Sequence, residues 1–260
     1  MSITGLTMQI VESRKGTYLL IRSEQPLRTL NSSPWGGGFG SHTSLMNRQV
    51  DKHYQAADPI TEMNEFITRE GMSPSEIAGM LTAAIVKDVG CSFLSLDQIE
   101  LQSPIGQDQG QSQEQEQAQD QDQDQEQKQK QKQKQLQVNA WVTVGLGNKA
   151  RAGAELPAAS LYPGTINCIV IINGILTDAA MVNSIITATE AKSAALQALG
   201  IEVDGLPATG TTTDAVLIAA TGRGRLHSYA GTATQLGYLI GRTVYEAIMQ
   251  SAQLYEKKPC

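Results

Sequence analysis

Hydrophobic and polar positions divide the chain into short alternating runs, continuous apolar runs and amphipathic stretches. Residues 7–13, 17–22 and 26–31 read as short strands, and Ser13-Arg14-Lys15-Gly16 as a hairpin turn between the first two. A helix is predicted over Pro59–Arg69. Ser73-Pro74-Ser75-Glu76 then has the form of a capping box with proline at the first helical position. It predicts a second helix through Ile77, Met80, Leu81 and Ile85 to Asp88, stopping near Gly90. Residues 91–101 and 138–145 read as strands, as does the apolar run from Gly164 to Ile172. A long amphipathic helix follows, with Asp178 able to cap its first turn and Gly200 as its stop. Its apolar stripe is Met181, Val182, Ile185, Ile186, Leu196 and Leu199, with Asn183, Thr187, Glu190 and Gln197 opposite. Another apolar strand starts after Asp214, and a last helix over 232–255 turns Leu236, Ile240, Val244, Ala247, Ser251 and Leu254 inward. Gly237 and Gly241 lie beside that stripe and allow close packing.

One residue breaks the pattern of the long helix. At about 100° per residue, Lys192 projects close to Met181 and Ile185, inside the apolar stripe. A lysine there is costly unless its ammonium is paired or snorkels to water. Asp214, at the mouth of the next strand, is a candidate partner. Glu190 is two residues from Lys192, so the two project about 200° apart. Both can serve one site only if other parts of the chain wrap the helix end. Asn167, inside a strand that reads as buried, must also find partners, as a structural bridge or a ligand contact.

The loops carry the remaining polar chemistry. Ser32-Ser33-Pro34-Trp35-Gly36-Gly37-Gly38-Phe39-Gly40 can turn sharply or let backbone approach a ligand, but it has neither a phosphate-loop lysine nor the GxGxxG spacing. Asn47, Arg48, Gln49 and Asp51 form a polar cluster before Tyr54. Gly145-Leu146-Gly147-Asn148-Lys149-Ala150 lies at a strand end, a usual place for a binding loop. It fits GxGxxA, yet Gly153 and Pro157 leave no room for the helix that a dinucleotide fold needs. From Gln107 to Gln135 every second residue is Gln, alternating with acidic residues and then with lysines. Such a segment buries almost nothing and reads as a disordered insertion between neighbouring strands, with a charge-paired helical or hairpin extension as the alternative.

Composition narrows the class. With 260 residues, 40% of them hydrophobic and 5% aromatic, the chain can build an aliphatic core. The expected architecture is one α/β (or α+β) domain over 1–260, a mixed sheet with helices packed against it, interrupted by the 107–135 insertion. A net charge of −6 argues against nucleic acid, and no apolar run approaches a membrane span. The N-terminus shows no signal-peptide pattern, and three scattered cysteines form neither a zinc spacing nor a disulfide framework, which points to a reducing cytoplasm. No metal site or cofactor is expected from the three histidines, His42, His53 and His227. A homo-oligomer is compatible with the sequence.

Asn31-Ser-Ser-Pro-Trp-Gly-Gly-Gly38, Met46-Asn47-Arg48-Gln49-Val50, Val142-Thr-Val-Gly-Leu-Gly-Asn148, Gly164-Thr-Ile-Asn167, Ala188-Thr-Glu-Ala-Lys192, Ala208-Thr-Gly-Thr-Thr-Thr-Asp214 and Tyr229-Ala-Gly-Thr232 together carry a resemblance. In this order and spacing they are similar to the adenosylcobinamide amidohydrolase family of corrinoid salvage. The resemblance implies hydrolysis of the amide joining the aminopropanol arm to the corrin ring, giving adenosylcobyric acid and aminopropanol. Its partner is a corrinoid small molecule, whose cobalt belongs to the substrate. A corrinoid-binding protein without catalysis, and a structural module that associates through the Gln-rich segment, are the readings from other classes.

Amide hydrolysis needs an attacking oxygen, a stabilised oxyanion and a protonated leaving amine. The candidate catalytic residues are Glu190, Lys192 and Asp214, with Glu190 or Asp214 activating water and Lys192 holding the oxyanion or protonating the amine. Backbone N–H groups around Thr209, Gly210 and Thr211 are candidate oxyanion donors. Asn148 and Asn167 are candidate amide-orienting residues, the loop with Gly37 and Gly38 is expected to face the corrin, and Asn47 and Thr165 are further candidate substrate-binding residues. A threonine nucleophile, Thr211, is the alternative attacking group.

Overall fold

The computed structural model describes residues 3–97, 136–154 and 164–256. The Gln-rich stretch 107–135, the last residues of the strand expected over 91–101, and the tail after Glu256 lie outside the described residues.

The chain opens with β1 (Leu6–Ser13), β2 (Gly16–Asn31) and β3 (Gly38–Gln49), then helix α1 (Pro59–Arg69) and strand β4 (Ile77–Thr82). Next come β5 (Gly90–Ser95), β6 (Gln137–Val144), the short β7 (Lys149–Ala150), β8 (Ile166–Asn173) and β9 (Ile175–Leu176). Helix α2 (Asp178–Ala198) leads to β10 (Glu202–Val203), β11 (Leu206–Pro207), β12 (Gly210–Thr211), β13 (Ala215–Ala220) and β14 (Leu226–His227), and α3 (Gln235–Glu256) completes the described chain. The large sheet runs β4-β3-β2-β13-β8-β6-β5, with β1 added to the first half of β2. It is mixed: β3 with β4 and β8 with β13 are parallel, each pair joined by a crossover helix, and the other neighbours are antiparallel. The expectation of one mixed α/β sheet holds.

A register shift between Arg22 and Leu27 bends β2, so the single sheet folds over itself. Side-chain alternation then produces three cores. Cys168, Val170 and Ile172 of β8 and Val216 and Ile218 of β13 face α2 and α3. The next residues along, Ile169, Ile171 and Leu217, face Leu19, Ile21, Leu45 and Met80 across the fold. On the outer side Tyr18, Leu20, Met46 and Ile77 pack on Met63, Phe66 and Ile67 of α1. The order of layers is helices, sheet, sheet, helix.

Local signals were right where nothing competed with them. Helix α1 has the expected bounds, and Asp58 caps it by accepting from Ile60 N and Thr61 N, both at 3.1 Å. The Ser13–Gly16 turn joins β1 and β2 in register. Other expectations are corrected. No helix follows Ser73: the hydroxyl caps nothing, Pro74–Glu76 makes one 3-10 turn, and Ile77–Thr82 is a strand buried along its length against β3. Burial and pairing with β3 outweigh a local capping signal. The expected 17–22 and 26–31 strands are one bent strand, and β3 occupies a stretch read as loop. Helix α2 is capped by Thr177, which accepts from Ala180 N at 3.1 Å, rather than by Asp178, which pairs with Arg28. Its buried face is also smaller-sided than expected: Ala180, Ser184, Thr187, Ala188, Ala191 and Ala195 face inward, while Val182 and Ile186 are exposed. Leu254 of α3 is exposed as well.

Candidate active site

The carboxyl ends of β3 and β4 meet the amino ends of β8 and β13 at one edge of the folded sheet. A cavity of about 590 Å³ lies there. One wall is the Val50–Gln55 loop after β3, with Leu81 and Thr82 at the end of β4 and Ala83 after it; the other is Asn148, Gly164, Thr165, Thr212 and Thr213. Parallel pairing produces this arrangement, because each crossover helix returns the chain to the same end of its sheet.

Directly behind Thr212 and Thr213 the structure brings Lys192 and Asp214 together as an ion pair. Their side chains are 8% and 11% exposed, so the pair is largely removed from water. Every acceptor position of the Asp214 carboxylate is filled. Oδ2 takes Lys192 Nζ and, at 3.0 Å, Thr211 N; Oδ1 takes Ile166 N at 2.9 Å and the Thr211 hydroxyl. A carboxylate has about four such positions. Charge-assisted bonds of this kind are about twice as strong as neutral ones. Gly210 makes the cluster possible: a Cβ there would run into Asp214 Oδ2 and lie 2.7 Å from Lys192 Nζ.

Asn167 links this cluster to the opposite layer. Its Nδ2 donates to Asn47 Oδ1 at 2.9 Å and to Leu81 O at 2.8 Å, and Asn47 Nδ2 donates to Thr143 Oγ1 at 2.9 Å. Asn167 also accepts from Thr165 Oγ1 at 3.2 Å. These buried amides are fully engaged and hold the two layers in register across the cavity floor. Asn148 donates to Thr212 Oγ1, and its buried Oδ1 has no partner among the described residues.

Thus Asn148 and Thr165 line the cavity, and Lys192, Gly210, Thr211, Asp214, Asn167 and Asn47 form the polar cluster beside it. Thr209 and Thr211 offer no free backbone donors, since their N–H groups bind Ala150 O and Asp214. Thr209 ties the loop down, accepting from Ala152 N at 2.8 Å through its hydroxyl. Gly37 and Gly38 are outside the cavity lining. Their loop is pinned to β4 by Gly79 N donating to Trp35 O at 2.9 Å. Gly36 clears the ring of buried His42, where a Cβ would lie 2.8 Å from Nε2. Glu190 does not join Lys192 and Asp214. It is exposed and lines a separate groove of about 340 Å³ between α2 and α3, beside Tyr238 and Tyr245.

Sequence reasoning missed His53, Thr212 and Thr213 as cavity residues; the polar run after a strand end was the available signal. Other nucleophile arrangements find no support. Burial pushes Cys91 up to about 11 and Cys168 to about 12, so neither supplies thiolate near neutral pH. Burial also lowers the pKa of His42 and His227, and His42 Nδ1 is 2.7 Å from Thr29 Oγ1 in the core. No group of three or more metal-ligating side chains occurs among the described residues. Nor is any helix there long and apolar enough to cross a membrane.

An acid, an amine and a hydroxyl-bearing loop thus stand together beside a polar cavity. Comparison with known proteins gives the family. The chain matches the family model described as adenosylcobinamide amidohydrolase, CbiZ, over residues 4–103 and 122–259, and it belongs to that family. An uncharacterised protein of Methanocaldococcus jannaschii is 41% identical over 91 residues, 34% of this chain and 35% of that protein. An adenosylcobinamide amidohydrolase of Halobacterium salinarum is 38% identical over 115 residues, 42% of this chain and 47% of that protein. The chain therefore spans less than half the length of these curated relatives. Among solved structures, a Burkholderia sp. β-aminopeptidase aligns at a TM-score of 0.41 and 11% identity, over 96% of this chain and 84% of that one. A likeness that weak carries no argument.

Proposed function

We propose that the chain hydrolyses the aminopropanol amide of adenosylcobinamide, releasing aminopropanol and adenosylcobyric acid. Family membership supports the substrate class. The observation that carries the chemistry is the filled carboxylate of Asp214, in which Thr211 provides the one hydroxyl proton.

That environment favours threonine attack over direct activation of water, because Asp214 has no acceptor position left for a water molecule. Thr211 Oγ1 attacks the amide carbon while its proton passes to Asp214. Lys192 keeps two further N–H donors for the oxyanion after pairing with Asp214. Collapse breaks the carbon–nitrogen bond, and the proton held by Asp214 leaves on the amine. Water then hydrolyses the Thr211 ester, giving the carboxylic acid and restoring the hydroxyl. Asn148 and Thr165 orient the amide at the cavity wall. Glu190 has no part in this route. A reducing cytoplasm suits the free thiols of Cys91 and Cys168.

Mass spectrometry of adenosylcobinamide incubated with the protein tests the reading. The expected product has lost aminopropanol and gained a carboxylic acid. Recovery of unchanged substrate by a protein that binds it would favour the corrinoid-binding alternative.

A further inference from the structure

Among the cavity residues that the hydrolytic route leaves unused is a histidine. His53 sits in the Val50–Gln55 loop, on the wall facing Asn148, Thr165, Thr212 and Thr213. It differs from the other two histidines. His42 is buried against Thr29, and His227 is held beside Leu176 in the β9–β14 pair. The His53 ring is exposed and makes no hydrogen bond among the described residues, while its backbone N–H is fixed by Asp51 Oδ1 at 2.7 Å. A neutral imidazole with a free nitrogen is a good ligand for a late first-row transition metal.

The chemistry of the substrate supplies the rest, so this step rests on the function proposed above. A corrin ring fills four equatorial positions of cobalt, and the adenosyl carbon fills one axial position. Without a tethered nucleotide base, the second axial position carries exchangeable water. The arm bearing the scissile amide hangs from that same face, since in complete cobamides it is the arm that carries the base to cobalt. An amide brought to the Thr212–Thr213 wall therefore presents the water-bearing face of the ring to the same cavity. We propose that His53 displaces this water and binds cobalt through a ring nitrogen. The exchange replaces one neutral ligand with another, and no electron is transferred. The bond would orient the ring over the cavity and would disfavour complete cobamides, whose own base already holds the position.

Electron paramagnetic resonance of bound cob(II)inamide tests this, with binding measured by equilibrium dialysis. In the wild-type protein each resolved cobalt line should split into a triplet from one axial nitrogen, and into a doublet when the histidine is nitrogen-15 labelled. His53→Ala should lose the splitting. Bound cob(II)inamide with no nitrogen splitting, or splitting that survives in His53→Ala, overturns the proposal while leaving the hydrolytic reading standing. Absence of any corrinoid binding overturns both.

Discussion

Two acid–base pairs among the described residues lie at least partly out of water, and they are built in opposite ways. Arg48 and Glu62 make a two-pronged bridge at 2.7 and 2.8 Å, with the guanidinium 3.8 Å above the Phe66 ring and Tyr54 OH donating to Glu62 at 3.0 Å. All four side chains are bulky, and α1 and β3 supply the ion pair between them. Lys192 and Asp214 are instead framed by Gly210, the Thr211 hydroxyl and two backbone N–H groups. The first pair clamps a helix to a sheet. The second has a hydroxyl able to give up its proton, an amine with spare donors and a cavity alongside. Burial and pairing alone do not mark a site; what surrounds the pair does.

The difference can be broken by mutation. Asp214→Asn should reduce turnover about 100-fold or more, the scale of a lost acid–base group, measured as the steady-state rate on adenosylcobinamide. It should also lower stability, because Lys192 is left buried without its counter-charge. Gly210→Ala should act on the same pair by steric means, costing about 1–3 kcal/mol in denaturant unfolding and at least tenfold in rate. Glu62→Gln should cost about 1–2 kcal/mol while leaving the rate constant within about twofold. The Arg48 hydrogen bond holds the Glu62 carboxyl below its usual range. A depressed folded pKa stabilises above the unfolded value and is lost as pH falls through the folded one. The acid-side fall in melting temperature should therefore be shallower in Glu62→Gln than in wild type. Glu190→Gln should have the smallest effect, within about 0.5 kcal/mol as for an exposed surface change, and unchanged turnover.

How much of this was legible in the sequence follows from where local signals meet tertiary competition. A lysine on an apolar stripe announces an unpaired charge, so Lys192 and its partner Asp214 could be named in advance. The angle of about 200° between Glu190 and Lys192 was legible too. Yet Glu190 was expected to share the site through wrapping of the helix end, and the structure instead leaves it in the groove between α2 and α3. Asn167 was legible for the same reason as Lys192. The β3–β4 pair was not. Gly36 to Gly40 hid the start of β3, and Ser73-Pro74-Ser75-Glu76 imitated a helix start ahead of Ile77–Thr82. Only the parallel partner strand makes Ala78, Gly79 and Met80 a strand, and no sequence window contains it. Since the Val50–Gln55 wall hangs from those strands, His53 disappeared from view with them.

Thr211 gives the most direct test of the central claim, through the turnover of Thr211→Ser and Thr211→Val on adenosylcobinamide. Serine keeps the hydroxyl against Asp214 and should stay within about tenfold of wild type, whereas valine keeps the shape, loses the attacking oxygen and should fall about 100-fold or more. A folded Thr211→Val protein that hydrolyses the amide at the wild-type rate would contradict the account.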